Sequence, residues 1–116
     1  MSRKIRVYVA GPIRLGTVAV NLSQAIQAGD ELWREGFAPY IPHANYIWEI
    51  MCPKTAQEWL EHDLNWLAVC DAVLRIPGES EGADFEVFWA KDKKIPVFYG
   101  IAALKLWAEQ WDLSEC

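Results

Sequence analysis

Asp71-Ala72-Val73-Leu74-Arg75-Ile76, followed by Pro77-Gly78-Glu79-Ser80-Glu81-Gly82-Ala83-Asp84-Phe85-Glu86, is the stretch that decides the fold. Its first six residues form a short apolar run that Pro77-Gly78 stops, which reads as a strand entering a loop. A helix is expected next, from Gly82 to Lys93. The same strand, loop and helix order recurs on both sides. Ile5 to Ala10 is a strand ended by Gly11-Pro12, and we take it as the central one. Val18 to Arg34 then places Leu22, Ala25, Ile26, Gly29, Leu32 and Trp33 at helical spacing before a stop at Gly36. Phe37 to Ile41 reads as the second strand, ending at Pro42-His43. Ala44 to Pro53 reads as an irregular, aromatic-rich connection of the kind that covers a ligand.

Thr55-Ala56-Gln57-Glu58 has the form of a capping box and opens a helix running to about Cys70. Its inward stripe is expected at Leu60, Leu64 and Leu67, with Trp59, Asp63 and Trp66 on another face. Pro96 to Tyr99 gives a fourth strand, and Ile101 to Trp111 a closing helix. Alternating strands and helices predict an α/β chain with a parallel sheet and right-handed crossovers. The expectation is a single doubly wound, Rossmann/flavodoxin-like domain over residues 1–116, with a four- to five-stranded parallel sheet in the order 2-1-3-4.

Composition narrows the function. A net charge of −5 with no long Lys/Arg run removes the electrostatic footprint of a polymeric nucleic-acid binder. Cys52, Cys70 and Cys116 make neither an even disulfide framework nor a CxxC pair, which points to a reducing cytoplasm. Met1-Ser2-Arg3-Lys4 is basic, but Gly11, Pro12 and Arg14 interrupt the apolar stretch behind it. It therefore reads as neither a signal peptide nor a membrane span. Two histidines and three scattered cysteines show no metal-ligand spacing, so no metal is expected. The first loop lacks the GxGxxG fingerprint, so no redox cofactor is expected either. Seven tryptophans are more than one small core readily hides, and some should line a pocket or a subunit interface.

In an open α/β sheet, ligands sit where the carboxyl ends of adjacent strands meet at the topological switch point. That brings Tyr8 and the Gly11–Gly16 loop toward the Ser80–Glu86 loop, with Asp63 turned to the same crevice. Two carboxylates facing one ligand fit glycoside-type chemistry, in which one attacks the anomeric carbon while the other handles the leaving group's proton. Glu86 is the expected nucleophile. The helix dipole should favour its ionised form, and Tyr8 should orient it. Arg14 and the backbone N–H groups around Gly11, Gly16, Ser80 and Gly82 are suited to an anion such as phosphate. His43 reads as a contact to the base, as an acid, or as a structural histidine. One or two of Trp48, Trp59, Trp66 and Trp89 should stack on a base, the others packing. Asp71 is expected to cap a turn outside the site.

These residues carry a resemblance. The chain resembles the nucleoside 2-deoxyribosyltransferase superfamily, including the 2'-deoxynucleoside 5'-phosphate N-hydrolases, over roughly residues 5 to 99. Tyr8-Val9-Ala10-Gly11-Pro12-Ile13-Arg14-Leu15-Gly16 is similar to that family's opening Tyr-Phe-x-Gly-Ser-Ile-Arg-Gly-Gly. The resemblance gives Tyr8 the role of positioning the nucleophile and makes Gly11, Ile13, Arg14 and Gly16 phosphate-loop positions, with Pro12 beside them as a further substrate-binding position. His62-Asp63-Leu64-Asn65 resembles Asn-Asp-Leu-Asn, which makes Asp63 a carboxylate near sugar and base. Ser80-Glu81-Gly82-Ala83-Asp84-Phe85-Glu86 resembles Ser-x-Gly-x-Gly-aromatic-Glu, with Ser80 as a phosphate contact and Glu86 as nucleophile. Pro12, Leu15 and Asp84 depart from the pattern, and Asp84 puts a negative charge where a glycine stands.

The resemblance implies an enzyme that cleaves or transfers the N-glycosidic bond of a nucleoside or nucleoside 5'-monophosphate. It also implies a homodimer or larger assembly. The alternative is a catalytically silent nucleotide-binding or sensing module, or a structural oligomer with a vestigial pocket.

Overall fold

Alternation along the first strand, β1 (Arg6–Ala10), sorts the chain into three layers. In the computed structural model, which describes residues 3–115, Val7 and Val9 point to one face of the sheet and Tyr8 and Ala10 to the other. Met1, Ser2 and Cys116, which entered the reading of the N-terminus and of the cysteines, lie outside the described residues. On the first face, Val7 and Val9 join Ala25 and Leu32 of α1 (Val18–Arg34) and Leu104 of α5 (Ile101–Glu115). On the second, Tyr8 and Ala10 join Leu67 of α3 (Ala56–Leu67) and Ala83 and Ala90 of α4 (Glu81–Asp92). Val7, Val9, Leu32, Leu67 and Leu104 are fully buried, each contributing roughly 1.5–3 kcal/mol by leaving water.

Four parallel strands form the sheet. β2 (Ala38–Tyr40), β3 (Ala72–Arg75) and β4 (Val97–Phe98) join β1 in the order β2-β1-β3-β4, the doubly wound arrangement expected from the sequence. Val7 pairs with Ala72 and Ala10 with Arg75, so β1 and β3 end side by side. Below them, Asp71 accepts two bonds from the Arg3 guanidinium, at 2.6 and 2.8 Å, and one from the Arg6 N–H at 2.8 Å. That clamp lies at the opposite end of the strands from the crevice. Asp71 is thus structural.

Four local expectations are revised. The buried stripe of α1 is Asn21, Ala25, Gly29 and Leu32, whereas Ile26 and Trp33 face solvent. Gly29 accounts for the rotation: a Cβ there would stand 2.1 Å from Ile41 Cδ1, so the helix approaches the chain after β2 along its small residues. Trp33 instead lies under the Lys4 ammonium at 5.1 Å.

The stretch read as an irregular connection is mostly helical. It forms a 3₁₀ turn (Pro42–Asn45) and a short helix, α2 (Tyr46–Met51). One and a half turns have little stability alone. Here the Glu49 carboxylate fixes the segment by accepting from the Lys54 N–H at 2.9 Å and from the Trp59 indole at 2.7 Å. Trp48 also meets Trp59 and His62 edge-on. Finally, α3 stops at Leu67 rather than near Cys70, and α5 continues past Trp111. The capping box at Thr55 is reciprocal, with Glu58 N–H to Thr55 Oγ1 at 3.1 Å and Thr55 N–H to Glu58 Oε1 at 2.9 Å. No helix among the described residues is long and apolar enough to cross a membrane.

Candidate active site

Past the last β1–β3 bond, from the Ile76 N–H to the Ala10 carbonyl at 2.9 Å, the two chains part into loops. Between them opens a cleft of about 840 Å³, within the roughly 300–1,000 Å³ common for small-molecule sites. Backbone proximity explains two glycines at its base. A Cβ on Gly11 would come within 2.3 Å of Ile76 Cγ1, and Gly78, at φ +119°, rests against Pro12. Gly11 is therefore required by packing, whatever its further role.

Glu86 lies at the inner end of the cleft, 9% exposed, and its Oε2 accepts a 2.6 Å hydrogen bond from the Tyr8 hydroxyl. Tyr8 is wholly buried on β1, and burial together with the charges of Glu86 and Asp63 pushes its own pKa well above 10. It remains protonated and always donates. The expected help from the helix dipole does not govern Glu86. Residue 86 is beyond the first turn of α4, where that influence fades. Burial dominates instead and pushes the carboxyl up to about 7. The Tyr8 bond lowers it, the charge of Asp63 raises it, and Arg75 lowers it.

Asp63 reaches the cleft from α3 alongside Leu60, one turn away. Burial pushes it up to about 6, with the Tyr40 hydroxyl drawing it back. Its Oδ1 is buried and has no hydrogen-bond partner. Tyr40 sits in a stack: its ring is 5.6 Å from Tyr8 and 5.8 Å from Trp66. The carboxylates thus come from two helices on the same face of the sheet, and the charge of Asp63 raises Glu86.

The first loop brings Pro12, Ile13 and Arg14 to the cleft, while Gly16 turns the chain at φ +89° away from its lining. Asn21 holds this loop. Its buried amide donates to the Ile13 carbonyl at 3.0 Å and to the Leu15 carbonyl at 2.8 Å. In the second loop, Ser80 and Gly82 line the cleft. The Ser80 hydroxyl caps α4 by accepting from the Ala83 N–H at 3.0 Å. Asp84, the unexpected charge, is 3.0 Å from the largely buried Arg75, whose guanidinium also donates to the Ile76 and Gly78 carbonyls.

His43 is 2% exposed, and its Nε2 donates to the Pro12 carbonyl at 3.1 Å. With that nitrogen carrying the proton, Nδ1 is an acceptor, and it has no partner. Burial lowers the pKa and keeps the ring neutral, despite the Pro12 and Gly11 carbonyls. Among the four tryptophans considered for base stacking, Trp59 lines the cleft. Trp66 packs on Tyr40, and Trp89 lies beside Lys93 at 5.5 Å. No group of three or more His, Cys, Asp or Glu among the described residues is arranged to hold a metal.

Sequence reasoning missed Asn21, Glu49 and Arg75. Asn21 left a signal, since it precedes Ala25 and Gly29 by whole helical turns as the one amide on a stripe of small residues. Glu49 and Arg75 left none, because their partners are fixed only by the fold.

Comparison with curated proteins finds no match. Among solved structures, the chain is similar to the 2-deoxyribosyltransferase of the psychrotolerant bacterium Bacillus psychrosaccharolyticus. The TM-score is 0.57 at 22% identity, covering 79% of this chain and 69% of that one. At that identity the likeness establishes a shared fold, and the resemblance read from the sequence holds at that level. Residues 5–100 match the family described as Domain of unknown function (DUF7768), and with most of its length inside that match the chain belongs to this family.

Proposed function

We propose that the protein cleaves or transfers the N-glycosidic bond of a nucleoside or nucleoside 5'-monophosphate, with Glu86 as nucleophile and Asp63 as proton donor to the base. One arrangement carries the reading: a buried carboxylate, aimed by a tyrosine hydroxyl 2.6 Å away, in a cleft that a second protonatable carboxyl also faces. A Glu86 oxygen forms a bond to C1' as the C1'–N bond breaks, and the base leaves with the Asp63 proton. Asp63, now ionised, takes a proton from water, or from the N–H of a second base, as that acceptor attacks C1' and frees Glu86. Water gives hydrolysis and a base gives transfer. Trp59 supplies a face for stacking, and the low-dielectric floor around Tyr8 strengthens each charge interaction.

Two helices that line the cleft, α2 and α4, also carry exposed apolar side chains (Ile47, Ile50 and Met51; Phe85 and Phe88) that suit burial against a second copy, in a homodimer or larger assembly. The free thiol of exposed Cys52 is compatible with a reducing compartment such as the cytoplasm.

The test is chromatographic. Incubating the protein with a panel of nucleosides and their 5'-monophosphates should release free base from at least one. Ligand binding without base release across the panel would favour the silent binding module.

A further inference from the structure

Charge is unevenly distributed around the cleft. Arg14 is the one cation among its lining residues, whereas Glu49, Asp63, Glu79, Glu81, Asp84 and Glu86 all contribute carboxyls. Helix N-termini commonly hold phosphate because their N–H groups and dipole favour negative charge. At α4 the chain itself occupies part of that capacity. Ser80 Oγ occupies the Ala83 N–H, and the Asp84 N–H is bonded to the Ser80 carbonyl at 2.9 Å. Glu81 and Asp84 stand in the first helical turn, with Glu79 just before the cap.

Arg14 does not restore the balance. Its charge acts on Glu49 across the cleft. The buried Arg75 reaches Asp84 from behind the loop, and one carboxylate is thereby neutralised. Glu79 and Glu81 remain at the mouth, both exposed, and neither has a cation within salt-bridge distance among the described residues.

We infer that the cleft selects an uncharged nucleoside and rejects its 5'-monophosphate, through the Glu79 and Glu81 carboxylates flanking the α4 N-terminus. The inference rests on the proposed function for the ligand class, but concerns binding and not bond cleavage. A phosphate near the α4 N-terminus carries close to two negative charges and meets the Glu79 and Glu81 carboxylates there. At separations of a few ångströms to about 10 Å in a solvated cleft, that repulsion weakens binding roughly ten-fold or more. Because the groups are exposed, the effect is open to screening by salt.

The experiment is calorimetric titration of Glu86→Gln protein, in which bound ligand survives. The ligands are the four common 2'-deoxynucleosides and their 5'-monophosphates, at about 0.05 M and about 0.5 M salt. For each base bound, the nucleoside should bind roughly ten-fold or more tightly than its monophosphate at low salt. The gap should narrow at high salt, and also when Glu79→Gln and Glu81→Gln are introduced together. A monophosphate that binds as tightly as its nucleoside overturns the inference and leaves the proposed function standing. So does a gap that neither salt nor the double substitution changes, since exclusion would then be steric. Nucleoside binding without base release by the wild type would sink the catalytic proposal and leave the charge filter intact. Binding of neither ligand class, checked also with wild-type protein, removes both.

Discussion

Glu86→Gln should abolish base release, by about 10³-fold or more, and at the same time make the folded protein more stable above neutral pH. The first effect follows from removing the attacking carboxylate while keeping its shape and its capacity to accept from Tyr8. The second follows from linkage. The unfolded chain loses the Glu86 proton near 4.5 and the folded chain at about 7, so between those values the native state holds more protons. Stability therefore falls as pH rises through that window and stays at the lower level above it. The full displacement corresponds to at most about 3 kcal/mol, and a buried glutamine has its own desolvation cost. We expect a gain of about 1–2 kcal/mol near pH 8, or roughly 3–8 °C in Tm, fading toward acid pH. Thermal melts of both proteins across pH check this. A variant that is less stable than the wild type at alkaline pH would show that Glu86 is not held against its own ionisation.

The pH profile of Asp63→Asn carries the second large effect. In the wild type, a nucleophile must be ionised while a proton donor is not, and the two carboxyls titrate near 7 and near 6. Because they influence one another, kcat/KM should follow a narrow bell whose limbs belong to the pair. Asparagine cannot donate an acidic proton, so kcat/KM should fall by about 10²–10⁴-fold. The alkaline limb, which reports loss of that proton, should vanish. The acid limb, which reports ionisation of Glu86 beside an uncharged residue 63, should persist. Base release measured from acid to alkaline pH separates these outcomes. An alkaline limb that survives the substitution would assign the proton donor elsewhere.

How much of this was written in the sequence depends on the range of the interaction. The strands were legible because apolar runs ended at Gly11-Pro12 and Pro77-Gly78, and local chemistry settles such boundaries. Thr55 and Glu58 announced α3 for the same reason, since a capping box lies within four residues. Strand order then set Tyr8 on β1 beneath the cleft that Asp63 and Glu86 line, within 2.6 Å of Glu86.

What escaped was non-local. α2 is held by Trp59 and Lys54, outside its own six residues. The charge of Asp84 looked unopposed until Arg75, nine positions earlier, was seen to meet it. The protonation of Glu86 was misread because position in a helix is a sequence property, whereas burial is a property of the whole fold.

The central claim is a covalent bond between Glu86 and the sugar. Quenching the wild-type protein with acid during turnover, digesting it and mapping peptide masses tests that claim directly. The account predicts a sugar adduct on the peptide carrying Glu86, absent from Glu86→Gln. Base release with no adduct at Glu86, or with the sugar on another residue, would contradict it.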